Sequence, residues 1–209
     1  MKSLASTTIK SLALSIAFIA VFALSQGSAQ AIPVTFSTSG SFNGGGNSIT
    51  FGAGANLTTI TFTGVASTVD ASPTTFAGFG EFQTTVTGTG APITPGTTFT
   101  LNIAQTAPTA GAGALSATLS GSIQQNASTG LVTFTVTSAT INGITYSVTN
   151  NPLPLVPPST NNGVTSVQGQ INAPVPEPAT LLLLGTGLTG LAGMARRRMK
   201  RARSTENDS

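Results

Sequence analysis

The chain contains no cysteine, no histidine and no tryptophan, and a single tyrosine. Without cysteine there is no disulfide framework and no thiolate to act as nucleophile or soft metal ligand. Without histidine the side chain best suited to proton transfer near neutral pH is missing. Charge is nearly as scarce, with 8 Lys and Arg and 5 Asp and Glu in 209 residues. It is also unevenly placed. The basic residues are Lys2, Lys10, Arg196, Arg197, Arg198, Lys200, Arg201 and Arg203, all near the two ends. Between Ile32 and Pro176 the only ionic side chains are the carboxylates of Asp70 and Glu81. The formal net charge of +3 therefore belongs to the termini. A nucleic-acid surface needs Lys and Arg to displace counterions, so no nucleic-acid partner is expected. The same absence leaves no cation to stabilise an oxyanion. Two isolated carboxylates do not form a calcium cluster. No Gly-Lys-Ser/Thr follows the glycine-rich loops, so they do not form a phosphate cradle. No metal and no cofactor is expected.

Targeting information fills the ends. Lys2 and Lys10 precede an apolar core from Leu12 to Leu24, and Ala29-Gln30-Ala31 supplies a small-x-small exit. This is the pattern of a secretory signal peptide over residues 1–31, cut by signal peptidase before Ile32. Near the other end, Ala179 to Ala195 is a run of 17 residues without charge. As a helix it reaches about 25 Å, the short end of what spans a bilayer. Basic flanks stay cytoplasmic, so Arg196–Arg198, Lys200, Arg201 and Arg203 orient the segment with the tail inside and the middle outside. On composition alone this is a single transmembrane helix with a stop-transfer flank.

The residues before that run are more specific. Pro176-Glu177-Pro178, then about 17 apolar residues, then an arginine cluster resembles the PEP-CTERM sorting signal of exported bacterial proteins. The resemblance covers residues 174–203 and leaves a polar tail at 204–209. It implies an exosortase-like membrane processing enzyme as partner, and exopolysaccharide as the setting. The chemistry of the segment is compatible. Two prolines hold the backbone extended and out of the helix, and Glu177 is the one charge beside them.

Between the ends, residues 32–173 alternate apolar and polar with a period of two. Phe99, Leu101 and Ile103 share a face, as do Leu115, Ala117, Leu119 and Ile123, and Val132, Phe134 and Val136. Such alternation predicts half-buried antiparallel strands. Further strands are expected at 32–38, 48–51, 57–64, 75–87, 144–149 and 164–171. Turn chemistry at 43–47, 87–92, 109–113 and 126–130 separates them. The proline-rich segment 150–163 is expected as a rim loop. The fold class is all-β, an antiparallel β-sandwich or jelly-roll-like domain. Asn142-Gly143 is the strongest hairpin signal and pairs Ile141 with Ile144 and Ala139 with Tyr146. Val132, Phe134 and Val136 have the opposite parity from Ile141, so one strand cannot bury both sets on one face. A bulge or bend near Ser138–Thr140 is expected to resolve this.

For catalysis, Asp70 and Glu81 are the one pair available for glycoside hydrolysis. The bland reading has Asp70 capping the turn that follows it and Glu81 solvated. Between Ile32 and Pro176 there are 30 Thr and 14 Ser. Threonine covers a solvated strand face without charge. The rows Thr61/Thr63, Thr98/Thr100 and Thr133/Thr135/Thr137 also suit ordered water, as in ice-binding proteins, and hydroxyl-rich segments can accept O-linked glycans. Asn56-Leu57-Thr58 and Asn126-Ala127-Ser128 match the N-glycosylation acceptor pattern. The functional expectation is a non-enzymatic, exported surface or extracellular-matrix protein of structural or adhesive role, anchored in the membrane at least transiently. The rivals are a carbohydrate-active enzyme using Asp70 and Glu81, and a passive surface glycoprotein.

Overall fold

The computed structural model describes residues 31–174, together with residues 185–191 and 193. The chain divides into two units, one of which is Ala31–Pro174. Most of the predicted signal peptide, including Ala29, lies outside the described residues, as do Pro176-Glu177-Pro178, the basic cluster and the polar tail. Residues 185–191 and 193 are helical and fall within the span predicted for 179–195. Among the described residues no helix is long and apolar enough to cross a membrane.

In chain order the strands are β1 (Ile32–Phe42), β2 (Ser48–Ala53), β3 (Asn56–Thr63), β4 (Ala66–Ala71), β5 (Thr74–Thr87), β6 (Ala91–Pro92) and β7 (Thr98–Ala107). They continue as β8 (Gly111–Ser120), β9 (Ser122–Ile123), β10 (Leu131–Phe134), β11 (Ser138–Ile141), β12 (Ile144–Val148), β13 (Leu153–Pro154) and β14 (Val164–Asn172). The first sheet has the order β13-β10-β8-β7-β1-β4 and the second β11-β12-β14-β5-β3-β2. A two-stranded piece pairs β6 with β9. Every pairing is antiparallel.

Alternation dictates what lies between the sheets. On β7 the buried residues Phe99, Leu101, Ile103 and Gln105 alternate with more exposed ones. Phe62 and Phe82 from the second sheet meet Phe42 and Phe99 from the first, with centroids 4.8–6.3 Å apart. A second group joins Phe36 of the first sheet to Phe79 and Tyr146 of the second, at 5.9 and 5.7 Å. Edge and tilted contacts of this kind stabilise by about 0.5–1.5 kcal/mol beyond the area they bury. The two aromatic groups tie the sheets face to face as a sandwich, as the alternation predicts.

Glycine makes room for the rings. A Cβ on Gly40 of β1 would lie 2.5 Å from both Phe62 and Phe99, and one on Gly169 of β14 would lie 2.0 Å from Phe79. Close sheet approach here requires the absence of a side chain. The same reason corrects a turn expectation. Residues 109–113 do not form a turn throughout, because β8 begins at Gly111. A Cβ on Gly111 would lie 2.6 Å from Ile141, so this glycine admits the edge of the other sheet.

The Asn142-Gly143 hairpin forms as predicted, pairing Ile141 with Ile144 and Ala139 with Tyr146. Both turn residues have positive φ, 49° and 84°. The parity conflict is resolved earlier than expected and by another device. β10 ends at Phe134 in the first sheet, and β11 starts at Ser138 in the second. The chain changes sheets at 135–137, leaving Val136 45% exposed and outside the predicted row. Phe134 and Ile141 are both buried because they approach the core from opposite sides. A bulge does occur in β5, opposite Val167–Gln168, where Phe79 is the extra residue.

The rim segment behaves as its prolines require. Its one strand, β13, is a two-residue edge. Just before it, the Asn151 side chain accepts from Phe134 N (2.8 Å) and donates to Phe134 O (3.0 Å). One amide thus does the work of a strand partner and closes β10.

Candidate functional site

The outward faces of the sandwich carry what remains for function. On the second sheet, outward residues fall in rows across the strands. Ser48 of β2, Thr61 of β3 and Gln83 of β5 make one row. Thr50, Thr59 and Thr85 make the next. The hydroxyls of Ser48 and Thr61, of Thr50 and Thr59, and of Thr140 and Thr145 each meet at 2.9 Å. Cross-strand hydroxyl pairs of this type stabilise by about 0.2–1 kcal/mol. The outward face of the first sheet is similar, with Thr35 and Thr68 at 2.9 Å. Both faces are almost uncharged.

The two carboxylates are not brought together. Asp70 is exposed on β4, at the edge of the first sheet. Glu81 is exposed in the middle of β5, flanked by Thr63 and Ser166 on the outer face of the second sheet. The core lies between them, so they cannot flank one glycosidic bond as the two-carboxylate mechanism requires. The turn expected to be capped by Asp70 is held differently: Thr75 Oγ1 donates to the Asp70 backbone oxygen at 2.8 Å. Tyr146, the one tyrosine, is fully buried, so it offers no exposed ring to a sugar. No group of three or more His, Cys, Asp or Glu side chains that could hold a metal occurs among the described residues.

The threonine rows do not form one surface. Thr61 and Thr63 lie on the second sheet, Thr98, Thr100 and Thr133 on the first, and Thr135 and Thr137 in the crossover between them. The two acceptor patterns also differ. Asn56 Oδ1 accepts from Thr89 N at 3.0 Å, and Thr58 is wholly buried. Asn126 is exposed at a turn closed by Gln124 N and Ala127 O at 2.8 Å.

One polar pair inside the core has no counterpart in the sequence reading. Tyr146 Oη donates to Gln105 Oε1 at 2.8 Å, and Gln105 Nε2 donates to Thr109 O at 2.7 Å. Gln105 is 2% exposed. It sits at a core-facing position of β7, where alternation predicts an apolar residue; that mismatch was the available signal.

A specific functional signal lies in the segment that follows the sandwich. Residues 174–198 match the family model of the PEP-CTERM protein-sorting motif. The chain carries a PEP-CTERM sorting signal. The match spans the Pro-Glu-Pro element, the apolar run and Arg196–Arg198, and stops before Lys200, Arg201 and Arg203. A PEP-CTERM signal marks an exported protein sorted at the membrane by an exosortase-like enzyme. It says nothing about the sandwich. No curated protein and no solved structure matches the chain.

Proposed function

We propose that this is a non-enzymatic structural or adhesive protein, delivered by its PEP-CTERM signal to the cell surface or the extracellular matrix, where it lies against exopolysaccharide. The observation that carries the reading is the sorting motif at 174–198. The sandwich supports it. Its outer faces present hydroxyl and amide groups with no cation, and its two carboxylates lie on opposite faces. Such a surface hydrogen-bonds to hydrated neutral polymer without drawing in polyanions.

The test separates sorting from insertion. Glu177→Ala removes the one charge beside the motif's prolines. Pro176→Ala with Pro178→Ala lets the membrane helix extend into the recognition segment. Both leave the apolar run and the arginines intact. In the native host the wild-type protein should begin at Ile32, lack its C-terminal tail by mass spectrometry, and appear in the surface or matrix fraction. Both variants should be exported yet build up as a heavier membrane-bound form. Wild-type protein that keeps its tail and stays with the membrane, or variants processed like the wild type, would overturn the reading.

A further inference from the structure

We infer that strand β2 is a self-association edge, at which two copies of this chain join antiparallel about a two-fold axis through Thr50. The two six-stranded sheets have four edges, β13 and β4 in the first and β11 and β2 in the second. A strand at the edge of a sheet presents unpaired backbone N–H and C=O groups, and natural edges are usually blunted by charge, proline, a bulge or shortness. β13 is two residues long and contains Pro154. β4 carries Asp70. β11 has only four residues. β2 is longer than β11 and β13 and has neither charge nor proline: its six residues, Ser-Ile-Thr-Phe-Gly-Ala, pair with β3 in unbroken register, and the backbone turns to positive φ (95°) only at Gly52, next to the hairpin end.

The geometry says which groups are free. Phe62 N donates to Asn47 O at 2.8 Å, making 47 and 62 a hydrogen-bonded pair. Hydrogen-bonded and non-hydrogen-bonded pairs alternate along an antiparallel ladder. Ile49 with Ile60 and Phe51 with Thr58 are therefore bonded pairs. The backbone groups of Ser48 and Thr50, which precede the positive-φ Gly52, point away from β3, toward the open edge.

This edge is complementary to itself. A two-fold axis through Thr50 sets Thr50 opposite the second copy's Thr50, and Ser48 opposite its Gly52. The free backbone groups of the two strands then face one another. Side-chain parity is also kept. Ile49, which packs against the core while partly exposed, meets the second copy's buried Phe51 on the inner face. On the outer face the row Thr85–Thr59–Thr50, with Thr50 and Thr59 hydroxyls 2.9 Å apart, runs on into its own image, so the strip of threonines continues across the junction. No charge on β2 opposes the approach of a like strand. A second copy satisfies both faces at once, and the inference does not depend on how the chain is sorted.

The absence of cysteine supplies the test. Thr50→Cys in the full chain introduces a lone thiol. Directly opposed residues of a bonded pair have Cα atoms about 5.5 Å apart, within disulfide range. Exported from the native host, this variant should run as a disulfide-linked dimer on non-reducing gels. Ser138→Cys, on the opposite edge of the same sheet, should stay monomeric. The full-length wild type, sized in detergent, should be dimeric. Thr50→Pro deletes an N–H that β3 does not use, so the fold survives, while self-association weakens by about tenfold or more. Thr50→Lys keeps the N–H but sets two like charges opposite each other, and should dissociate the dimer similarly. A wild type that sizes as a monomer, equal cross-linking at Ser138→Cys, or association unchanged in both Thr50→Pro and Thr50→Lys would overturn the inference.

Discussion

Tyr146→Phe is the sharpest perturbation of the core. The hydroxyl it removes is the donor to Gln105 Oε1 at 2.8 Å, between two side chains that are 0% and 2% exposed. Phenylalanine fills the same space, so no cavity opens. What remains is a buried amide oxygen without a partner, which costs about 1–3 kcal/mol. At about 3–4 °C per kcal/mol for a domain of this size, the melting temperature should fall by about 3–12 °C. Gln105→Leu should cost a comparable amount, because it strands the tyrosine hydroxyl and removes the donor to Thr109 O, now bonded at 2.7 Å. In the double variant both halves of the pair are apolar, so its cost should fall below the sum of the single costs by about 1 kcal/mol or more. The tyrosine also sets the alkaline limit. Burial pushes its hydroxyl up from 10.0 to about 12. The folded state holds this proton more tightly than the unfolded state, so the contribution is complete below about pH 10 and is lost as the pH rises from about 10 to about 12. Residues 32–174 contain no lysine and no cysteine, so a single proton governs the window, and Tyr146→Phe should remove its pH dependence. The assay is thermal and urea unfolding of residues 32–174, followed by circular dichroism between pH 7 and 12. A Tyr146→Phe protein as stable as the wild type, or strictly additive single variants, would show that the Tyr146–Gln105 bond does not stabilise the core.

Two further substitutions test other parts of the fold. Gly169→Ala would put a Cβ 2.0 Å from the buried Phe79 ring. It should destabilise by about 1–3 kcal/mol through overpacking, with partial rescue by Phe79→Leu, measured by the same unfolding curves. Asp70→Asn with Glu81→Gln alters only exposed side chains on opposite faces. Stability should change by no more than about 0.5 kcal/mol at neutral pH. Polysaccharide turnover by the wild type that vanishes in this variant would overturn the non-enzymatic proposal.

Much about this protein was legible in the linear chain. Alternation at Phe99, Leu101 and Ile103 gave the inward face of β7, because a pleated strand turns successive side chains to opposite sides whatever lies around it. Asn142-Gly143 gave its hairpin, because both turn residues need positive φ and these two tolerate it. The sorting signal was legible for a different reason: its motif is defined by the order and spacing of residues along the chain. Only the tertiary structure decided which sheet each strand enters. Phe134 and Ile141 looked incompatible because parity applies within one strand, and nothing local announces that a chain will cross the core between them. Gly111 read as turn chemistry, yet it is a strand residue that makes way for Ile141 from a strand 30 positions on. Gln105 at an inward position gained its meaning only when the other sheet brought Tyr146 opposite. Asp70 and Glu81, 11 residues apart in sequence, were separated by the thickness of the core because β4 and β5 belong to different sheets. Which strands end up as edges is likewise a property of the completed sheets. Propensity and parity act over a few residues, whereas sheet membership is set by long-range burial, which a single strand does not encode.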